Sequence, residues 1–240
     1  MESSLSCCRI ACYRKEKKAL DASVPQDMIG PVYDRIAPIY DIWGKLTESR
    51  ARNRAIAFAD IKDGQAILEV AVGTGLAFYK IVKKNPTGTN AGVDLSQGML
   101  EKAKKRLSRL SEANYSLDVG TAFDLPIEDE SIDTIVNNYM FDLISFEDMD
   151  KVILEFRRVL KKEGKLILVN MTKGENWGSR IYDFIYTISP KVLGGCRGVR
   201  LTDKLKQNGF QVESREYFQQ LLFPSEVILA YQSKRLGHGA

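Results

Sequence analysis

From residue 66 onward, short apolar or β-branched runs alternate with stretches whose apolar residues recur at helical spacing. The pattern predicts strands over Ala66–Val72, Thr89–Asp94, Ala113–Val119, Ile132–Asn137 and Lys165–Asn170. Helices are predicted between them over Leu76–Lys84, Gln97–Leu110 and Glu147–Leu160, with Gly164 expected to turn the last helix into its strand. Further on come a helix over Leu201–Asn208 and strands near Phe210–Phe218 and Glu226–Tyr231, seven strands in all. Strands that alternate with helices imply a largely parallel sheet with both faces covered, an α/β fold.

The flanks of this alternation read differently. Residues 1–24 hold no sustained pattern and are expected to form a mobile leader. Residues 25–62 read as a helical segment, broken by Pro31 and Pro38. Within 63–235, the stretch near 177–189 carries Trp177, Ile181, Tyr182, Phe184, Ile185, Tyr186 and Ile188 and is predicted to be an apolar-aromatic cap helix. Helical spacing of that kind also arises from simple packing on a sheet. The tail, 236–240, contains the sole histidine, His238.

Composition narrows the classes. The formal charge of the 240-residue chain is +4. Arg9, Arg14, Lys15, Lys17 and Lys18 against Glu2 and Glu16 leave the first twenty residues at +3 and everything else at +1. A nearly neutral body argues against a nucleic-acid-binding face. The basic leader, in contrast, suits an anionic membrane surface, to which each cation adds about 1 kcal/mol. No apolar run reaches the ~20 residues of a membrane-spanning helix. Cys7, Cys8 and Cys12 crowd the leader and Cys196 stands alone, so no disulfide framework and no metal site are expected. With no secretory h-region, a cytoplasmic protein is expected, with peripheral membrane contact as the variant.

The strongest local signal is Ile67-Leu68-Glu69-Val70-Ala71-Val72-Gly73-Thr74-Gly75, an apolar strand running into a two-glycine loop before a helix. Gly73 and Gly75 let backbone approach a ligand that a Cβ would hold off. The next strand delivers Asp94, a carboxylate able to accept from two ribose hydroxyls. A dinucleotide needs a third glycine, but Phe78 stands at that position, and no Gly-Lys-Ser/Thr follows to make a P-loop. S-adenosylmethionine has no phosphate, and an acidic strand end such as Glu69 suits its ammonium.

At this point the chain resembles the class I S-adenosylmethionine-dependent methyltransferases over most of Tyr33–Val169. The phrases that carry the resemblance are Leu68–Gly75, Gly92-Val93-Asp94-Leu95-Ser96 with Met99-Leu100, Leu125-Pro126-Ile127 with Ser131-Ile132-Asp133, and Phe156–Leu160 with Gly164-Lys165-Leu166. Among these enzymes it is most similar to the ubiquinone/menaquinone-biosynthesis methyltransferases and bacterial phospholipid N-methyltransferases. The resemblance implies a single Rossmann-like doubly wound domain, its seven-stranded sheet mostly parallel with an antiparallel last strand, under an N-terminal helical lid. It implies S-adenosyl-L-methionine as cofactor. By position, Glu69, Ala71, Gly73, Thr74 and Gly75 match the methionine-side cradle, Asp94 the ribose ligand, and Leu95 and Met99 the adenine packing. Thr121 and Ala122 match the adenine edge, Asn138 a strand-end cofactor contact, and Tyr33 and Tyr40 the lid. Two positions depart from the pattern. Ala71 stands where glycine is usual, and Thr121 where Asp or Asn is common.

Methyl transfer from a sulfonium is an in-line displacement in which alignment supplies much of the acceleration. A base is needed only when the acceptor must lose a proton early. Tyr139, Asp142 and Glu175 are the candidates for that role. Trp177, Tyr182 and Tyr186, with Arg197 for an acidic group, are the candidate acceptor contacts. They favour a hydrophobic or aromatic small molecule such as a quinone precursor. A phospholipid amine of the phosphatidylethanolamine type is the alternative acceptor, and a binding regulator without catalysis is the alternative class.

Overall fold

The structure is a computed structural model that describes residues 31, 46–111, 113–172, 197–221 and 223–233. The leader, the tail, Tyr33, Tyr40, Glu175, Trp177, Tyr182 and Tyr186 lie outside the described residues, as does the whole of the expected cap helix.

Seven strands form one sheet: β1 (Ala66–Val70), β2 (Thr89–Asp94), β3 (Tyr115–Val119), β4 (Ile132–Asn138), β5 (Leu160–Met171), β6 (Phe210–Gln220) and β7 (Phe223–Gln232). Their order is β3-β2-β1-β4-β5-β7-β6. The first five run parallel, and β7 is antiparallel to both β5 and β6. The order reverses between β1 and β4, and a doubly wound sheet opens a crevice at such a point, beyond the strands' carboxyl ends.

Alternation along the strands builds two cores. Ile67, Val136, Ile167, Val169, Val227 and Leu229 face one side, where helices α1 (Ser49–Ala59), α2 (Phe78–Lys84) and α3 (Gln97–Leu107) pack. Leu68, Val70, Ile135, Leu166, Leu168 and Ile228 face the other, against α4 (Met149–Val159) and α5 (Thr202–Gln207). Helix α4 shows why the sequence allows this. Met149, Val152, Ile153, Phe156 and Val159 fall on one stripe and are all buried. Helix α3 begins where the Ser96 Oγ accepts from the Met99 N–H at 3.0 Å, satisfying one of its open donors.

Two details differ from the sequence reading. Strand β5 starts at Leu160, immediately after α4, and Gly164 lies inside it. Ile132 pairs with Leu160 and Thr134 with Lys165, so residues 161–164 bulge, and a Cβ on Gly164 would lie 2.7 Å from the Leu160 side chain. The glycine therefore serves a close approach within a strand rather than a helix-to-strand turn. The last two strands are also longer than their apolar residues suggested, because they pair as a hairpin almost to the tip. No helix among the described residues is long and apolar enough to cross a membrane.

Candidate active site

The loop after β1 is bent by three residues in the left-handed region, Ala71 (φ 60°), Gly73 (φ 57°) and Gly75 (φ 77°). Glycine accepts this conformation freely, whereas alanine does so at a cost. The bend is fixed from three directions. The Ala71 N–H donates to the Val93 carbonyl at 2.8 Å, and the Gly73 N–H donates to Asp94 Oδ2 at 2.7 Å. From α3, Arg106 Nε donates to the Thr74 carbonyl at 2.8 Å. A Cβ on Gly75 would lie 3.0 Å from the Ala103 Cβ, so this glycine is what lets α3 come so close. A Cβ on Gly73 would meet nothing within 4 Å.

Asp94 closes β2 with both carboxylate oxygens in use, since Oδ1 accepts from the Ser96 N–H at 2.9 Å while Oδ2 holds Gly73. The same carboxylate thus joins the glycine loop to the start of α3. Beneath the loop, Glu69 is 1% exposed. Its Oε1 accepts from Asn138 Nδ2 at 3.0 Å, and its Oε2 and the Asn138 Oδ1 have no hydrogen-bond partner. Burial pushes the Glu69 carboxyl up to about 8, against the Asn138 hydrogen bond and the nearby Arg52 cation, which draw it down.

These elements surround a cleft of about 310 Å³ at the carboxyl edge of the sheet. Of the residues expected to bind cofactor, Ala71, Gly73, Asp94, Leu95, Met99, Thr121, Ala122 and Asn138 line it together. Glu69, Thr74 and Gly75 stand behind the wall rather than on it. The Thr121 Oγ accepts from the Phe123 N–H at 3.3 Å, within a tight turn that pairs Thr121 with Asp124. The far wall is Tyr139, Met140, Leu143 and Ile144. Asp94 is the one carboxylate on the lining among the described residues.

Of the candidate proton acceptors, Tyr139 and Asp142 are described, and both are buried. Tyr139 is buried at φ 54°, its hydroxyl is 2.9 Å from the Ser225 Oγ, and its ring packs on Phe223. Burial, with the Glu48 carboxylate adding to it, holds its phenol well above the usual range. Asp142 is fully buried, Oδ1 accepting from the Met171 N–H at 3.0 Å, and desolvation raises its carboxyl well above the usual carboxylate range. Arg197 is also buried. It donates to the Asp142 and Ile144 carbonyls and lies 4.4 Å over the Phe146 ring, so its charge secures the turn after β4.

Sequence reasoning missed the Glu48–Arg52 ion pair, 2.6 Å and buried, whose field reaches Glu69 and Tyr139. Its i,i+4 spacing was visible, but its burial was not. It also missed Arg106, and the apolar trio Met140, Leu143 and Ile144, whose spacing on the turn after β4 was the available signal.

A family profile described as a methyltransferase domain matches residues 61–193. The chain belongs to that family. This methyltransferase is 27% identical to the demethylmenaquinone methyltransferase of Lactobacillus johnsonii, over 81% of its own length and 89% of the relative's. It is 30% identical to the 2-phytyl-1,4-naphtoquinone methyltransferase of a Nostoc species, over 66% of its own length and 71% of the other's. Its fold matches a SAM-dependent methyltransferase structure from Thermotoga maritima with a TM-score of 0.64 at 21% identity, covering 85% of this chain and 99% of that one. It is an S-adenosyl-L-methionine-dependent methyltransferase. The cleft agrees with that cofactor: Gly73 leaves open space on the wall, and two orphaned buried oxygens, on Glu69 and Asn138, suit the ammonium of its amino-acid arm.

Proposed function

We propose that this methyltransferase methylates a hydrophobic aromatic small molecule, a quinone precursor being the best match. The observation that carries the proposal is the stretch of cleft wall formed by Met140, Leu143 and Ile144, which carries no charge. An apolar ring is accepted by such a wall, and a charged headgroup would lose its hydration there. The quinone-directed names of the relatives support the same class.

S-adenosyl-L-methionine, when bound, supplies an electrophilic methyl group on a sulfonium. In this reading Asp94 accepts from the ribose, and Leu95, Met99 and Ala122 pack on the base. Asn138 on the wall, with the Glu69 carboxyl hydrogen-bonded behind it, offers the negative end to the ammonium, and the loop from Ala71 to Gly75 leaves room for the amino-acid arm. Thr121 contributes mainly through its turn, because its hydroxyl is already engaged by Phe123. The chain's contribution is to bind, align and exclude water, which is where most of the acceleration of a displacement arises. The basic leader adds peripheral attraction to an anionic membrane, where a lipophilic acceptor would be met.

The test is transfer of a labelled methyl group to a panel holding a demethylated naphthoquinol and phosphatidylethanolamine. Label on the naphthoquinol ring is the expected result. Label on the amine alone would overturn the proposal in favour of the phospholipid acceptor.

A further inference from the structure

The β6–β7 hairpin turns at the carboxyl edge of the sheet, the edge that also holds the cleft. Gln220 pairs with Phe223, so only two residues connect the strands, and both are leucines. Two-residue hairpin loops favour Asn and Gly because they need left-handed backbone. Leu221 occupies that conformation at φ 56° and is 68% exposed. It is thus disfavoured twice, by its backbone and by water around its side chain. A residue that breaks a local rule without gaining packing points to a role outside the fold.

A second exposed leucine stands beside it. Leu46, 56% exposed, precedes α1, and Gln220 Nε2 donates to its carbonyl at 2.7 Å. The Gln220 Oε1 also accepts from the Arg50 N–H at 2.9 Å, which fastens the hairpin tip to the start of α1. Arg50 is exposed, and the sole acid among residues 46–51 and 217–221, Glu48, is buried with Arg52. The chain that enters this edge at Leu46 also begins with the leader of net charge +3.

We infer that the Leu46–Leu221 edge, with Arg50, is a docking surface for an anionic lipid bilayer. Leucines at a protruding tip enter the interfacial layer while the cations meet the headgroups. A second copy of the chain is a poor occupant. A two-fold contact would set Arg50 against its own copy with no exposed acid from these segments to offset it.

The full chain is tested by co-sedimentation with vesicles of phosphatidylcholine, with and without phosphatidylglycerol and carrying no acceptor. This separates the result from the choice of substrate. Binding should require the anionic lipid and weaken as salt is raised. The double variant Leu46→Gln/Leu221→Asn should partition roughly tenfold more weakly. Leu221→Trp should retain binding, since tryptophan favours the interface. Melting temperature and S-adenosylhomocysteine affinity should stay as in the parent, because asparagine suits a left-handed turn. Equal partitioning of the double variant and the parent, or no binding to either vesicle, would overturn the inference. A change in sedimentation coefficient in place of lost vesicle binding would do the same, by assigning the edge to self-contact.

Discussion

Asn138 on β4 and Glu69 on β1 are joined by one hydrogen bond of 3.0 Å, Nδ2 to Oε1, and the Glu69 Oε2 and Asn138 Oδ1 are both buried without a partner. Two strands thereby present unused acceptors at the switch point of the sheet. The Glu69 carboxyl, pushed up to about 8, is mostly protonated at neutral pH. A cationic ligand favours its ionised form, so cofactor binding at pH 7 should release close to one proton, and affinity should rise with pH up to about 8. Calorimetry in two buffers of different ionisation enthalpy measures that proton. Glu69→Gln should abolish the release, and an unchanged buffer dependence in that variant would refute the assignment.

The same shift has a consequence for stability. Between the ordinary carboxylate range and pH 8 the folded chain binds more protons at Glu69 than the unfolded chain does. The unfolding free energy from this group therefore falls as pH rises through that window and levels off above it. Relative to the parent, Glu69→Gln should melt with a flatter pH dependence from pH 5 to 8. A steeper one would reverse the sign of the argument.

Asp94 holds two backbone N–H groups, Gly73 and Ser96, besides the ribose contact proposed for it. Hydrogen bonds to a charged group contribute about 1.5–3 kcal/mol each. Asp94→Ala should weaken S-adenosylhomocysteine binding at least roughly a hundredfold, with Asp94→Asn intermediate. At about 2–4 °C per kcal/mol, losing both contacts should lower the melting temperature by about 6–24 °C, with the chain still folded below the transition. Near-parental affinity in calorimetry would remove the ribose assignment.

Ala71 sits at φ 60°, where an L-residue costs about 1–2 kcal/mol relative to glycine. Glycine's greater freedom in the unfolded chain offsets about 0.5–1 kcal/mol of this. Ala71→Gly should accordingly raise the melting temperature by about 1–4 °C with cofactor affinity retained. A lower melting temperature would show that the Cβ has packing value.

Asp142 is fully buried and off the cleft wall, and its Oδ1 holds the Met171 N–H. Asp142→Asn keeps an acceptor for that N–H and should leave kcat within a few-fold. Asp142→Ala orphans the N–H and should destabilise the chain by about 1–3 kcal/mol. A hundredfold loss of kcat in the asparagine variant, with cofactor affinity intact, would instead make Asp142 the proton acceptor.

The parts that were legible in the sequence are those fixed by local pattern. The alternation of Ile67 with Leu68 and of Ile167 with Leu168 separates the two core faces, and Ser96 announces α3. Most of the expected cofactor residues do share one cleft, because strand ends and the loops after them converge in this topology. What escaped depends on contacts distant in sequence. Gly164 reads as a turn until Leu160 is seen pressing on it, and the burial of Arg197 against the Asp142 and Ile144 carbonyls has no local signal. The Leu221 backbone follows from hairpin register, which the apolar pattern of β6 leaves undefined.

The loop between β1 and α2 is braced by contacts within the chain, since Asp94 grips the amide of Gly73, Arg106 grips the carbonyl of Thr74, and Ala103 abuts Gly75. The entropy of arranging that backbone is surrendered during folding rather than at the encounter with the cofactor. A nucleoside docking against this loop therefore meets backbone whose order the chain itself secures.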